Sequence, residues 1–238
     1  MNIQNRIAFV TGANRGIGAA IVKELLAQGI SKVYAASRQI ENLPDFQSDK
    51  VYPLTLDLTN AESIQRAAEE ARDVNLLINN AGTLDFGDIF NVSNEQLDRN
   101  FSVNFFAPIA MAKAFRPTLK AHGNSAIINM LTLLSLASMP GMAAYNASKA
   151  AAWSAHLSMR ASLSPDNINV HGVFPGAVDT DMLAGVEMPK ASPTDVAHEI
   201  IEGLKIDQED IFPDTMSKDV YAAWKADHKA VEKQFAQL

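Results

Sequence analysis

The chain has no cysteine among its 238 residues. That excludes disulfides, thiolate nucleophiles and thiolate-bound metals. Positive charge is also scarce: 20 Lys and Arg stand against 27 Asp and Glu, a net charge of −7. A nucleic-acid backbone wants a basic patch, so no nucleic-acid partner is expected. No block of like charge forms an interaction tail. Long apolar runs are missing too. The first, Ile7–Val10, ends at Thr11 and is too short for a signal-peptide core or a membrane span. A cytoplasmic location without a membrane partner is the expectation. Linkers, repeats and low-complexity segments are absent. Hydrophobic residues make up 47% and charged residues 20%, enough for an ordinary core. One domain over residues 1–238 is expected.

What is present alternates. Strands are predicted at 6–11, 32–37, 50–59, 74–80, 125–131, 168–174 and 210–212. Helices are predicted at 17–29, 61–72, 143–163 and 193–205. Ser93 to Gln96 reads as a capping box opening a long helix to about Ala121. Pro108 and Pro117 inside it predict kinks or an early end. Beyond residue 218 an amphipathic tail carries Val220, Trp224, Val231 and Phe235 at loosely helical spacing. The strands are continuous apolar runs, the pattern of a parallel sheet buried on both faces. The fold class expected is α/β, a doubly wound single domain.

"TGANRGIG" (11–18) follows the first strand and opens the first helix. Gly12 permits a tight turn, Gly16 a close backbone approach and Gly18 close helix–sheet packing. A helix N-terminus there offers free N–H groups to a pyrophosphate. Gly12, Asn14, Arg15, Gly16, Ile17 and Gly18 are the candidate cradle. At the end of the second strand, where a carboxylate would bind ribose hydroxyls, the chain has Ser37 and Arg38. With Arg15, these suit a 2′-phosphate and hence NADP(H). The plainer alternative is that both arginines are solvated surface charges.

Tyr145 and Lys149 share one helix face in "AAYNASKAA" (143–151). Tyr packing and Lys solvation in a run of helix-favouring alanines explain this without chemistry. Alternatively, the ammonium lowers the phenol's pKa and makes it a proton donor and acceptor.

With "TGANRGIG", "NNAG" (79–82), "YNASK" (145–149) and "PGAVDT" (175–180) in this order, the chain resembles the short-chain dehydrogenase/reductase family over residues 6 to about 205. The resemblance implies a Rossmann-type domain with a seven-stranded parallel sheet. It implies Tyr145 as general acid in carbonyl reduction and Lys149 as the group that holds the nicotinamide ribose. Asn104 in "SVNFF" would hold a water linking Lys149 to solvent. The family's substrate-binding serine maps to Thr132, thirteen residues before Tyr145, with Ser135 and Ser138 as competitors if the loop is shifted. Further implied cofactor contacts are Asp57 and Leu58 at adenine, and Asn80, Ala81 and Gly82 at adenosine and ribose. Pro175, Gly176, Val178 and Thr180 would frame the nicotinamide.

Met139, Met142, Met182, Leu183 and Met188 are candidate substrate-pocket residues, with core filling as the alternative for each. The expected activity is NADPH-dependent reduction of an apolar ketone or aldehyde. A 3-oxoacyl-thioester reductase and an NADPH-binding regulator without turnover are the alternatives. "EDIFPD" and the tail stand where fatty-acid-synthesis reductases carry "DGG", which weakens the thioester alternative and the usual tetramer contacts. A homodimer through the helices at 95–121 and 143–163 is expected, with a homotetramer as the alternative. No metal is expected: His122, His156, His171, His198 and His228 lack metal spacing. Asn91 and Asn146 head glycosylation triplets with no secretory signal before them. Asp179 and Asp181 are read as helix-start acids.

Overall fold

A computed structural model describes residues 1–238. Seven parallel strands form one sheet: β1 Ile7–Thr11, β2 Lys32–Ser37, β3 Val51–Thr55, β4 Leu76–Asn79, β5 Ser125–Met130, β6 Ile168–Val173 and β7 Asp210–Ile211. Their order is β3-β2-β1-β4-β5-β6-β7. The helices are α1 Gly16–Ala27, α2 Ala61–Glu70, α3 Asn94–Phe101, α4 Ala107–His122, α5 Ala143–Leu163, α6 Pro193–Lys205, α7 Thr215–Ala226 and α8 His228–Phe235.

The apolar runs bury both faces because side chains alternate along a strand. Ala8, Val10, Leu76, Ile78 and Ile128 face one layer, with Ile21 and Leu25 of α1 and Ile200 and Leu204 of α6. Their neighbours Phe9, Leu77 and Ile127 face the other, with Ile64 of α2 and Met111, Phe115 and Leu119 of α4. A strand exposed on one face would have shown polar residues at every second position. From β1 the chain first builds outward to β3, then crosses to β4 on the other side. The carboxyl ends of β1 and β4 therefore flank a switch point, where doubly wound sheets leave a crevice for ligands. No helix is long and apolar enough to cross a membrane.

Three boundaries differ from the sequence reading. The strand predicted at 50–59 ends at Thr55, and Pro53 is tolerated because β3 is an edge. The long helix opened by Ser93 is interrupted by a π turn over Ser102–Phe106. Pro108 stands in the first turn of α4, directly after the π turn. Pro117 does not end the helix, which runs on to His122. The tail forms α7 and α8. Val231 and Phe235 pack with Ala137, and half-buried Leu134, Met139, Val220 and Trp224 join them.

Candidate active site

The turn after β1 is built from backbone. Gly12 and Gly16 have φ of 66° and 53°, left-handed values that favour glycine. A Cβ at Gly12 would lie 3.0 Å from Ala81 Cα, and one at Gly18 only 2.2 Å from the Gly12 carbonyl oxygen. No other residue fits at 18. Thr11 staples the turn to β4: its hydroxyl accepts the Asn80 and Ala81 N–H groups, each at 3.0 Å. The Asn80 side chain donates to the carbonyls of Thr11 and Gly12 at 2.9 and 3.2 Å. Thr11 carries this staple without having been a sequence candidate; its strand-end hydroxyl beside the first glycine was the available signal. Asn80 and Ala81 thus hold the cradle's shape, and Gly82 faces the lysine. The N-terminus of α1 opens directly from the turn, with Asn14 and Ile17 half-buried beside it. This bare, amide-rich surface fits a pyrophosphate.

At the end of β2, Ser37 is buried and its hydroxyl donates to the Gln39 carbonyl at 2.6 Å. Arg38 is exposed, and its charge acts on Asp57. The Asp57 carboxylate is held below its ordinary range, first by the Thr59 hydroxyl and amide. Leu58 packs at the edge of the core. Arg15 does not join Arg38. Its guanidinium pairs with Asp181 at 2.9 Å, and the two side chains are 68% and 70% exposed. Pairs this exposed contribute at most about 1 kcal/mol, so Arg15 can exchange partners.

Tyr145 and Lys149 lie in the first two turns of α5, and both are buried. The Lys149 ammonium donates to the Met130 carbonyl at 2.6 Å and sits 5.9 Å from the Tyr145 ring centre. The expected lowering of the phenol's pKa is not found. Burial pushes Tyr145 up to about 12, with the Thr132 side chain pulling the other way. Burial likewise pushes Lys149 down to about 8. Desolvation dominates both because the charged form of each group is taken out of water.

Thr132 faces the phenol, which agrees with the register chosen for it. Its hydroxyl accepts the Leu134 N–H at 3.3 Å and reaches the Pro175 carbonyl at 3.5 Å. Ser135 is buried on the following turn and Ser138 is exposed. Asn104 stands in the π turn. Its side chain holds both backbone groups of Thr83, at 2.9 and 2.8 Å, and donates to Ser148 Oγ at 3.0 Å. It makes no direct bond to Lys149. Both groups face Gly82: a Cβ there would lie 3.3 Å from Asn104 Oδ1 and 3.8 Å from Lys149 Nζ. Behind them a cavity with about 10 Å³ of room for a water's centre is lined by Asn79, Asn104, Asn129, Lys149 and His156.

After β6, Pro175 is buried and Gly176 donates its N–H to Asp214 Oδ2 at 2.9 Å. Val178 belongs to the core, not to an open pocket wall. The Thr180 methyl lies against Gly16, where a Cβ would come within 3.1 Å. Met182 reaches to 4.0 Å from the Cβ position at Gly82, so it leans toward Lys149. Met188 is exposed, and Leu183 and Met142 are half-buried. Met139 is half-buried and packs with Val231 and Phe235 of α8. No group of three or more His, Asp or Glu is disposed to hold a metal.

A family model described as short chain dehydrogenase matches residues 6–190. The chain is 32% identical over 197 residues to a 3alpha-hydroxysteroid dehydrogenase of Mediterraneibacter gnavus, covering 78% of this chain and 79% of that one. It is 31% identical over 185 residues to carbonyl reductase (NADPH) 2 of Sus scrofa, covering 76% and 75%. A crystal structure of a short chain dehydrogenase from Burkholderia cenocepacia in complex with NADP superposes with a TM-score of 0.94. It is 36% identical, and 99% of each chain is covered.

Proposed function

The chain belongs to the short-chain dehydrogenase family, and on that premise we propose that it is an NADP(H)-dependent oxidoreductase interconverting an apolar ketone or aldehyde and its alcohol. The observation that carries the reading is the meeting of Tyr145, Thr132 and Lys149 at the carboxyl end of the sheet, beside the glycine-rich cradle. When bound, the nicotinamide supplies or accepts the hydride. The protein supplies the proton and the geometry. With its pKa pushed up to about 12, Tyr145 is protonated at neutral pH, as a donor to a carbonyl oxygen must be. On substrate binding the Thr132 hydroxyl turns its one proton from the Pro175 carbonyl to that oxygen as a second hydrogen bond. Lys149 holds the ribose, and Asn104 and the small cavity behind it keep a route for proton resupply. Arg38, with Ser37 in place of a carboxylate, favours the 2′-phosphate of NADP(H). Met182 and Leu183 cover an apolar substrate. The protein acts as a homodimer through α4 and α5, on which Phe106 beside α4 and Leu157 are 59% and 45% exposed.

The test is NADPH oxidation against apolar ketones, aldehydes and 3-oxoacyl thioesters, with wild type and Tyr145→Phe in parallel. Turnover with the free carbonyls, reduced about 10²–10⁴-fold in the variant, supports the reading. Preference for thioesters would replace the substrate class. Tight binding of NADPH with no turnover would favour a regulator.

A further inference from the structure

The two turns that frame the crevice are held differently. The turn after β6 depends on a carboxylate far along the chain. Gly176 donates its N–H to Asp214 Oδ2 at 2.9 Å. The carbonyl of the same peptide, that of Pro175, accepts the Leu133 N–H at 3.2 Å and the Thr132 hydroxyl at 3.5 Å. One peptide plane is therefore gripped on one side by the turn carrying Thr132 and on the other by Asp214.

Asp214 is also the N-cap of α7. Its Oδ1 accepts the Ser217 N–H at 2.8 Å, and Ser217 Oγ accepts the Asp214 N–H at 3.1 Å in return. A cap alone needs one acceptor oxygen, which Ser, Thr or Asn supplies as well as Asp. Only a carboxylate offers two equivalent oxygens to two separate amides. The second oxygen goes to Gly176. Asp214 is buried, so both bonds form away from water, where charge-assisted bonds are strong and an unmet one is costly. Gly176 is shaped to receive it: a Cβ there would stand 2.9 Å from Asp214 Oδ1 and 2.9 Å from Met216 Sδ. The anchor is rigid. Phe174 stacks on Phe212 at 5.0 Å, and Phe212 on Tyr221 at 3.9 Å, tying β6 to α7 on both sides of Asp214.

We propose that Asp214 is a positioning residue that sets the Pro175–Gly176 peptide, and through it both the nicotinamide-facing strap and the Thr132 hydroxyl. This rests on the reading of the crevice as a nicotinamide-nucleotide site. Asp214 touches neither cofactor nor substrate; it acts through Gly176.

The experiment compares wild type, Asp214→Ala, Asp214→Asn and Ser217→Ala in the full chain. It measures NADPH Kd by fluorescence, steady-state kinetics and Tm. Asp214→Ala is expected to raise the NADPH Kd about tenfold and lower kcat about tenfold, the size of one charge-assisted hydrogen bond, with the carbonyl KM within about twofold. Asp214→Asn keeps one acceptor oxygen and falls between. Ser217→Ala weakens the cap, lowers Tm and leaves Kd within about twofold. Unchanged Kd and kcat in both Asp214 variants overturn the proposal. So does a Ser217→Ala effect as large as that of Asp214→Ala, since capping would then explain everything. If Asp214→Ala does not fold, Asp214→Asn takes its place: a raised Kd with lowered kcat supports the proposal, and wild-type values overturn it. A wild type that binds NADPH but reduces nothing overturns the proposed reaction alone, and the Kd series still decides on Asp214. A wild type that binds neither NADPH nor NADH overturns both.

Discussion

The turn after β1 and the turn after β6 stand on either side of one crevice, yet their glycines meet different neighbours. The first is held by Thr11 and Asn80, 69 residues apart in the chain, and its Gly12 and Gly18 each have backbone against them. The second is held by Asp214, 38 residues further along the chain. A backbone-built turn tolerates nothing at its tight points. A turn set by side chains can yield, and so can be tuned.

Glycine substitutions break the comparison most sharply. Gly18→Ala forces a Cβ to 2.2 Å from the Gly12 carbonyl, and backbone cannot step aside cheaply. We expect destabilisation of about 3 kcal/mol or more and loss of NADPH binding, read by thermal melts and fluorescence titration. Gly176→Ala meets the Met216 sulfur at 2.9 Å, a side-chain atom that can swing away, and Asp214 Oδ1 at 2.9 Å, whose displacement strains the clasp without touching backbone. That variant should fold, with NADPH affinity reduced about fivefold. Equal damage from both would erase the distinction between the two turns.

Thr132 sharpens it next. Thr132→Val removes the hydroxyl facing Tyr145 and the bond to Pro175, and kcat should fall about 100-fold. Thr132→Ser keeps the hydroxyl and should stay within a few-fold of wild type. A Val variant as active as the Ser variant would remove the threonine from the reaction. On the other turn's side, Arg38→Ala should raise the NADPH KM about tenfold and leave that for NADH unchanged. Equal effects on both cofactors would separate Arg38 from the 2′-phosphate.

The last effect is on stability against pH. Lys149 is held near 8 when folded against an ordinary 10.5, so between those values the unfolded chain binds the extra proton. Stability from this group therefore rises from about pH 8 to 10.5. Tyr145 runs the other way: the folded chain keeps its proton to about 12 against an ordinary 10.0, so its contribution falls above pH 10. Denaturant melts of wild type against Lys149→Met between pH 8 and 10 should show the rise in wild type alone. Parallel curves would mean that Lys149 is not desolvated.

The sequence made the sheet legible because burial on both faces leaves unbroken apolar runs such as Ala8–Val10 and Ala126–Ile128. α5 is found at the expected 143–163 because its alanines and spacing are local facts. The π turn that carries Asn104 left no trace, since one extra residue in a hydrogen-bond ladder changes no composition. Arg15 turned to Asp181, a partner 166 residues away. The direction of the Tyr145 shift depends on how much water reaches the phenol, which no spacing reports. Asp214 had a local signal, its Asp-to-Ser capping pattern, but nothing local says that its second oxygen reaches Gly176.

The clasp between Gly176 and Asp214 also has a calendar. At translation rates of about 5–20 residues per second, Asp214 is joined to the chain roughly 10–40 s after Gly12. The first wall cannot be stapled until Asn80 and Ala81 are joined, and the second cannot be fastened until Asp214 is. The clasp makes readiness a late event: a chain cut short before residue 214 lacks the group that fastens the second wall.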